Sequence, residues 1–335
     1  MNLESIKPAK SNETIPAWDH GEFGLIDRIR AVFPEIDLTD DCAMITPPPE
    51  SRLLLTTDAA VAGVHFPDSP IFYGDAGFRA FAGAASDINA SAGEAICALL
   101  ALVIPSKLST REFDDFIRGV ADYASLSGVP IVGGNIARGT EFAATITVLG
   151  SGANPVGRSG ANPGDSLFIT GRIGGSEAGR MLVMGEVEPD LPNKILESLE
   201  SRFLRPTPPI GLGAKLAEIG ATAMIDISDG LLADANHIAE SSDCGIAIEL
   251  ERIALFPGVA GIAALCGKDE GIFAAQSGEE FELLFTIPKN DIVAILSADI
   301  DYPVTEIGHI RSGDGVKITR NGNPISIKET GWRHF

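Results

Sequence analysis

The chain has 335 residues, 45% of them hydrophobic, which is enough to bury a sizeable core and predicts two domains. Its formal net charge of −21 argues against a nucleic acid partner, because binding a phosphate backbone needs a basic face. No apolar run approaches the roughly 18 to 20 residues of a membrane span, and residues 1–18 lack the apolar core of a signal peptide, so we expect a cytoplasmic protein. Four widely spaced cysteines predict neither a zinc site nor a disulfide framework.

The first half of the chain alternates helical and strand patterns. Residues 1–17 are polar and are expected to form a flexible arm, after which apolar spacing predicts a helix that Pro34 ends. Short β-rich runs predict strands at 52–57 and 143–150, and helical periodicity predicts helices at 75–92 and 110–126. This half is therefore expected to form a mixed α/β domain over residues 18–150.

The second half repeats this alternation after a boundary rich in Gly, Asn, Ser and Pro at 150–164. The predicted strands are 166–170, 224–227, 246–250 and 282–287, with a C-terminal hairpin at 316–327 that turns at Asn321-Gly322. The predicted helices are 177–184, 195–204, 210–219 and 231–240. Residues 151–335 are therefore expected to form a second α/β domain.

Acidic residues recur in short, turn-like contexts that are distant in sequence. These contexts are Asp40-Asp41, Thr56-Thr57-Asp58, Ser86-Asp87 and Asp226-Ile227-Ser228-Asp229-Gly230. Carboxylates and hydroxyls are hard oxygen ligands, and Mg²⁺ bound together with substrate phosphates is a common arrangement that needs several of them. Each piece alone is also typical of a helix cap or a turn. Together they indicate a magnesium and phosphate site.

Two glycine-rich segments follow predicted strands. Gly133-Gly134-Asn135 comes after the apolar run 130–132, and the segment 171–176 comes after 166–170. Glycines at the end of a strand let backbone N–H groups approach a phosphate, and a helix beginning just beyond favours an anion. A simple turn explains the first segment equally well. Neither matches a P-loop or a full G-x-G-x-x-G.

The string Asp226 to Leu231 combines two carboxylates and a hydroxyl at a predicted strand-to-helix junction. Strand alternation would place Asp226 and Ser228 on one face, and Asp229 would open the next helix. These groups can hold metal and phosphate together. His65, between Gly63-Val64 and Phe66-Pro67, can bind a substrate or cap the end of a strand.

In this order, the motifs resemble those of the thiamine-monophosphate kinases, a family of the superfamily named for aminoimidazole ribonucleotide synthase. The resemblance spans about residues 21 to 335. It depends on the segments 21–23, 40–43, 56–58, 61–66, 86–87, 133–134, 158–165, 226–231, 277–284 and 331–335. It implies a two-domain α/β (α+β) fold in which the N-terminal sheets of two chains close into a barrel across a homodimer.

The resemblance also implies an activity and a set of site residues. The activity is direct in-line transfer of the ATP γ-phosphate to thiamine phosphate with Mg²⁺, which gives thiamine diphosphate. The implied metal ligands are Asp41, Thr56, Thr57, Asp58, Asp87, Asp226 and Asp229, of which Asp226 and Asp229 are the implied catalytic residues. The implied nucleotide contacts are Gly134, Asn135, Arg158 and Ser228. The implied substrate contacts are His65, Glu279 and Trp332, and the Trp332 ring suits a cationic thiazolium.

The sequence departs from the family pattern at several of these positions. The usual Gly-Gly-Asp-Thr is Gly133-Gly134-Asn135-Ile136, which removes one negative charge from the implied metal site. Further departures are Asp37-Leu38-Thr39 for Gly-Ile-Gly, Ala59 for Thr, Gly175 for Asp, and Glu279-Glu280-Phe281 for Glu-Asp-Tyr.

Three functions are therefore open. The favoured one is a working or slow thiamine-monophosphate kinase with a modified metal site. The second is a kinase or ATP-dependent ligase of the same fold acting on another phosphorylated small molecule. The third is a non-catalytic, dimeric nucleotide-binding protein. Selenophosphate synthases and hydrogenase-maturation relatives depend on a reactive N-terminal or C-terminal Cys, and the cysteine pattern here supports neither.

Overall fold

The computed structural model describes residues 15–34, 42–69, 72–291, 295 and 300–327. By its internal contacts the chain divides into two units. The first unit contains Met1–Ile45, Thr57–Phe81 and Cys97–Val148, and the second contains Thr46–Thr56, Ala82–Ile96 and Leu149–Phe335. Two segments from before residue 150 thus belong to the second unit, whereas the predicted domains 18–150 and 151–335 are each continuous in sequence.

The described residues form both α-helices and β-strands. The helices are α1 (Gly21–Val32), α2 (Tyr73–Ala90), α3 (Thr110–Ser127), α4 (Gly175–Val183), α5 (Asn193–Leu204), α6 (Leu212–Ile219), α7 (Leu231–Ser241), α8 (Val259–Leu265) and α9 (Glu270–Gln276). The strands are β1 (Arg52–Val61), β2 (Glu94–Pro105), β3 (Ile131–Gly139), β4 (Ala143–Gly152), β5 (Ser166–Thr170), β6 (Ala223–Asp226), β7 (Gly245–Glu249), β8 (Leu283–Ile287), β9 (Val304–Arg311), β10 (Val316–Arg320) and β11 (Asn323–Ile325). Among these described residues, no helix is long and apolar enough to cross a membrane.

Helix α3 shows how local sequence builds the first unit. It begins with a capping box, in which the Ser109 side chain accepts the Glu112 N–H and the Glu112 carboxylate accepts the Ser109 N–H. Its apolar face buries Phe113 and Phe116 completely. Phe116 packs edge-on against Phe142, with ring centroids 4.9 Å apart. Burial of this aromatic face fixes the helix in the unit.

A four-stranded sheet has the order β1-β4-β2-β3, with β2 and β3 parallel. Several of its apolar side chains are exposed. Leu53 and Leu55 on β1 are 54% and 73% exposed, and Leu99 on β2 is 44% exposed. Exposed apolar residues along strands are typical of a surface that another chain covers.

A seven-stranded sheet in the second unit has the order β11-β10-β7-β9-β5-β8-β6. Both β5 and β6 pair antiparallel with β8, so they run in the same direction and end at the same edge of the sheet. Asp226, the last residue of β6, lies opposite Leu283 at the start of β8. This edge therefore carries the carboxyl ends of two strands, where polar side chains of an α/β sheet commonly form a site.

Most of the predicted elements are confirmed within a few residues. The predicted helix 110–126 is α3, and the predicted strand 166–170 is β5. The sequence did not predict β2, β9, α8 or α9, and it predicted only the start of β3, as the run 130–132. The predicted position of Gly133-Gly134 at the end of a strand is wrong, because both glycines lie inside β3. The last residues of the predicted arm, 15–17, pair through their backbone with Leu108 and Thr110.

Candidate functional site

Two predicted metal ligands of the first unit lie on β1. Thr57 and Asp58 are both exposed. The Thr57 hydroxyl lies 3.0 Å from the hydroxyl of Thr147 on β4, so a neighbouring strand orients it. The pair presents a hydroxyl and a carboxylate from consecutive positions, which point to opposite faces of a strand.

His65, a predicted substrate contact, follows the end of β1. Its Nδ1 accepts the backbone N–H of Val61 at 3.1 Å. Nδ1 therefore carries a lone pair, and a neutral ring has its proton on Nε2. The half-buried ring is thus held by the strand end and presents Nε2 as its donor.

Gly134 and Asn135, predicted nucleotide contacts, lie in the middle of β3. A Cβ at Gly134 would lie 1.8 Å from the backbone oxygen of Leu100 on β2, so only glycine fits between the paired strands. Asn135 is exposed and lies opposite Ala101. The close approach that glycine permits here is thus to β2, which the sequence alone could not distinguish from approach to a phosphate.

The second unit joins two predicted acidic segments through a buried hydrogen bond. Ser86 on α2 is 0% exposed and Asp226 at the end of β6 is 2% exposed. The Ser86 hydroxyl donates to Asp226 Oδ2 at 2.7 Å, across 140 residues of sequence. Ser86 is therefore an additional site residue, which the sequence signalled only by its position beside Asp87.

Asp87 is the next residue of α2 after Ser86, and its side chain is half-buried. The Thr56 hydroxyl donates to Asp87 Oδ2 at 2.5 Å, so two predicted metal ligands are in direct contact. Burial raises the pKa of the Asp87 carboxyl, whereas the hydrogen bond from Thr56 and the positive charge of Arg158 oppose that rise. Arg158 is exposed, and its charge acts on this carboxylate.

The loop after β6 carries Ser228 and Asp229, both half-buried. Strand β6 ends at Asp226, so strand alternation does not extend to Ser228, and α7 begins at Leu231 rather than at Asp229. These two details of the sequence prediction are wrong. The loop is folded by Asp234, whose Oδ2 accepts the N–H groups of Ser228 and Gly230 at 3.0 and 3.1 Å.

The pKa of Asp234 also shows the effect of the neighbouring negative charges. Asp234 is 1% exposed, and burial, followed by the negative charges of Asp226 and Asp229, raises its pKa to about 8. Ligand atoms of Asp229, Asp234 and His237 lie within 4.8 Å of one another. The sequence prediction missed Asp234, although an acidic residue in the first turn of a helix is a recognisable signal.

Glu279, a predicted substrate contact, lies in a loop bound to the Asp226–Asp229 string. Its backbone φ is 54°, a left-handed conformation that non-glycine residues rarely adopt. Its N–H donates to the Ser228 oxygen at 2.6 Å, and the N–H groups of Glu280 and Phe281 both donate to the Ile227 oxygen. The structure therefore places the backbone of Glu279 beside Ser228.

The second glycine segment does not offer its backbone to a phosphate as predicted. Glu280 Oε1 accepts the N–H groups of Gly174 and Ser176, at 2.7 and 3.1 Å, at the start of α4. The protein's own carboxylate thus occupies this anion site. A Cβ at Gly175 would lie 2.7 Å from Phe256 Cγ and 2.9 Å from Arg202 Cγ, so a larger side chain here would overlap its neighbours.

The donor set of the second unit fits Mg²⁺. Asp87, Asp226 and Asp229 supply carboxylates and Thr56 supplies a hydroxyl, all of them hard oxygen ligands. The negative charges of Asp226 and Asp229 act on the buried Asp234, and a bound cation would offset this repulsion. The predicted ligand Asp41 and the predicted substrate contact Trp332 lie outside the described residues.

The sequence matches two domain families in succession. These are AIR synthase related protein, N-terminal domain, over residues 39–152, and AIR synthase related protein, C-terminal domain, over residues 162–321. The matches define the class, a two-domain AIR synthase-like α/β protein, as predicted from the sequence.

Relatives within this class are similar over nearly their whole length. The thiamine-monophosphate kinase of Aquifex aeolicus is 36% identical over 315 residues, covering 94% of this chain and 98% of that protein. The thiamine-monophosphate kinase of Escherichia coli K12 is 32% identical over 330 residues, with the same coverage of 94% and 98%. The solved structure of AaThiL complexed with AMPPCP and TMP is 34% identical, with a TM-score of 0.74, and covers 95% of this chain and 98% of that chain. The chain belongs to the thiamine-monophosphate kinase family.

Proposed function

We propose that the protein transfers the γ-phosphate of ATP to thiamine phosphate, giving thiamine diphosphate. The observation that carries this proposal is the full-length similarity to AaThiL, whose structure holds AMPPCP and TMP together. The carboxylates of Asp87 and Asp226, each oriented by a hydroxyl, support it, because phosphoryl transfer depends mainly on positioning and on neutralising charge. ATP and thiamine phosphate are therefore the proposed substrates, and the cytoplasmic location stays a prediction.

Mg²⁺ is the proposed metal, held by Asp41, Thr56, Thr57, Asp58, Asp87, Asp226 and Asp229. Bound Mg²⁺ would supply neutralisation of the phosphate charges. The chain's own contribution is to orient the ligands: Thr56 fixes the Asp87 carboxylate and Ser86 fixes the Asp226 carboxylate. Asp226 and Asp229 lie at the strand-to-loop junction and are the proposed catalytic pair.

The remaining predicted residues are proposed to bind the two substrates. Gly134, Asn135, Arg158 and Ser228 are the proposed nucleotide contacts, and Arg158 adds a positive charge close to Asp87. His65, Glu279 and Trp332 are the proposed contacts to thiamine phosphate. For His65, the proton on Nε2 supplies a hydrogen-bond donor suited to a phosphate oxygen.

Asn135 is proposed to weaken the metal site without abolishing it. Its amide oxygen can still bind a cation, but it lacks the charge of the usual Asp. We expect Asn135→Asp to raise kcat/KM on the order of 10-fold, as changes around metal ligands do. An Asn135→Ser variant, which also lacks the charge, is the matched control. If the Asp and Ser variants show the same activity, the charge of this position is irrelevant to turnover.

A homodimer closed by the four-stranded sheets is also part of the proposal. The exposed leucines of β1 and β2 support it, because apolar side chains on exposed strands need a covering surface. Light scattering should give the mass of a dimer, near twice the 35.1 kDa of one chain. A monomer at micromolar concentration would contradict the barrel.

The decisive experiment is product formation followed by mass spectrometry. Purified protein is incubated with ATP, Mg²⁺ and thiamine phosphate, with EDTA and the Asp226→Asn variant as separate controls. We expect thiamine diphosphate from the unmodified protein and none, or far less, in both controls. ATP binding without this product would remove thiamine phosphate as the acceptor and favour another phosphorylated small molecule or a binding role.

A further inference from the structure

A buried ionic cluster lies beside the loop that carries Glu279. Arg202 on α5 is 9% exposed, and Glu280 and Glu282 are 0% and 2% exposed. Arg202 Nη2 donates to Glu282 Oε1 at 2.9 Å and to the backbone oxygen of Glu280 at 2.6 Å, while Nε donates to Glu280 Oε2 at 3.3 Å. One guanidinium therefore holds two side chains and one backbone carbonyl of the segment 280–282.

The other carboxylate oxygens of the cluster connect further elements to the same segment. Glu280 Oε1 accepts the amides at the start of α4 and the Ser277 hydroxyl at 2.6 Å. Glu282 accepts the hydroxyls of Thr170 and Tyr302 at 2.7 and 2.9 Å. Every carboxylate oxygen thus has a donor, and together they connect β5, α4, α5 and the Glu279 loop.

Stability alone does not account for such a cluster. Desolvation of buried charges offsets much of their attraction, and well-packed apolar residues of similar volume are often equally stabilising. A fully hydrogen-bonded network does, however, specify one arrangement of the segments that it joins. The cluster is therefore better explained by the conformation that it selects than by the free energy that it adds.

The selected conformation is strained on both sides of Glu280. Glu279 and Phe281 have φ values of 54° and 52°, and left-handed backbone persists at such residues only where its surroundings fix it. On the backbone side, the loop is held by hydrogen bonds to the oxygens of Ile227 and Ser228. Between the two strained residues, Glu280 is held through its carboxylate by the amides at the start of α4 and through its backbone oxygen by Arg202.

We propose that Arg202 and Glu280 are positioning residues that clamp this loop and so hold Glu279 beside Ser228 for substrate binding. The clamp rests on the proposed function, since Glu279 is the proposed contact to thiamine phosphate. Neither Arg202 nor Glu280 needs to touch a substrate. Their effect passes through the backbone of residues 279–281, which explains why a guanidinium and two carboxylates are buried so close to a proposed substrate contact.

The first test compares conservative variants of the clamp with a stability control. Arg202→Lys keeps the charge but loses the planar fork, and Glu280→Gln keeps the shape but loses the charge. We expect both to raise KM for thiamine phosphate on the order of 10- to 100-fold, with a smaller change in KM for ATP. Glu280→Asp keeps the charge and should recover part of the loss. Ile246→Ala, a buried change on β7, lowers stability without altering KM for thiamine phosphate.

A double-mutant cycle separates positioning from general destabilisation. If the clamp acts through Glu279, adding Arg202→Lys to Glu279→Gln should raise KM for thiamine phosphate little further. Fully additive effects on KM, or an unchanged KM in folded Arg202→Lys and Glu280→Gln, would overturn the proposal.

Amide hydrogen exchange gives a readout that does not depend on activity. The N–H groups of Glu279 and Phe281 should exchange faster in Arg202→Lys and Glu280→Gln than in Ile246→Ala at equal stability. Equal exchange in all three would also overturn the clamp. If the unmodified protein makes no thiamine diphosphate, the proposed function fails, and the exchange rates still decide whether the clamp exists. Should Arg202→Lys not fold, Glu280→Gln and Glu280→Asp carry the same comparison.

Discussion

Two adjacent glycines of β3 allow a matched test of why this segment is glycine-rich. A Cβ at Gly134 would lie 1.8 Å from the Leu100 oxygen, 2.7 Å from its carbonyl carbon and 3.1 Å from its nitrogen. All three atoms are backbone atoms of the paired strand. A Cβ at Gly133 would instead meet Leu99 Cδ2 at 3.2 Å, the flexible end of an exposed side chain.

The geometry sets the size of the expected effect. To reach 3.0 Å, the Leu100 oxygen and the Cβ of Gly134→Ala must separate by 3.0 − 1.8 = 1.2 Å, which requires β3 to move away from β2. Overpacking of this kind costs about 1 to 3 kcal/mol, and the upper end applies because no side chain can yield. In Gly133→Ala only Leu99 has to rotate, so we expect less than about 1 kcal/mol.

Urea unfolding without nucleotide measures both variants. With an m-value of about 3 kcal/mol/M, a loss of about 3 kcal/mol lowers the midpoint of Gly134→Ala by about 1 M. Gly133→Ala should unfold within about 0.3 M of the unmodified protein by the same arithmetic. If the two variants unfold together and Gly134→Ala loses only ATP affinity, strand packing is not the reason for this glycine.

Three further changes test separate features of the structure. Ser86→Ala removes the hydroxyl that orients Asp226. Because hydrogen bonds to charged groups contribute about 1.5 to 3 kcal/mol, the free energy of unfolding in urea should fall by that amount, and a loss below about 0.5 kcal/mol would contradict this role. Ser109→Ala removes the capping box with Glu112 and should lower the free energy of unfolding in urea by about 1 kcal/mol. An unchanged urea midpoint would show that tertiary contacts alone hold α3. Leu55→Glu places a charge on a leucine that is 73% exposed in one chain, so in light scattering the proposed dimer should dissociate to monomers. If the unmodified protein is a dimer and the variant has the same mass, the interface lies elsewhere.

The elements that the sequence predicted well are those with strong local signals. Helix α3 combines a capping box with a clear apolar face, and both signals are contained within a few residues. Strand β2 was missed because its sequence, EAICALLALVIP, is almost continuously apolar and lacks the alternation that identifies a half-buried strand. Strand β3 was predicted to end too early, at Val132, since its two glycines favour a turn when the sequence is considered alone.

Some features of the candidate site could likewise be predicted from local sequence patterns, and others could not. The strings containing Asp87, Asp226 and Asp229 could be found because each is a recognisable local pattern. The contact between Ser86 and Asp226 spans 140 residues, and no local pattern predicts it. The same holds for Arg202, which is an ordinary helical arginine in the sequence and becomes a buried partner of two carboxylates only in the folded chain.

The carboxylates of the second unit differ in the groups that donate hydrogen bonds to them. This difference separates carboxylates suited to bind a cation from carboxylates that hold the fold. The hydrogen bonds described for Asp87 and Asp226 come from the hydroxyls of Thr56 and Ser86, which orient a carboxylate without cancelling its charge. Glu280 is held instead by a guanidinium, which neutralises it. Sequence composition cannot make this distinction, because all three are acidic residues. The type of donor distinguishes them, since the hydroxyls of Thr56 and Ser86 leave the charge of their carboxylates in place, whereas the guanidinium of Arg202 neutralises Glu280.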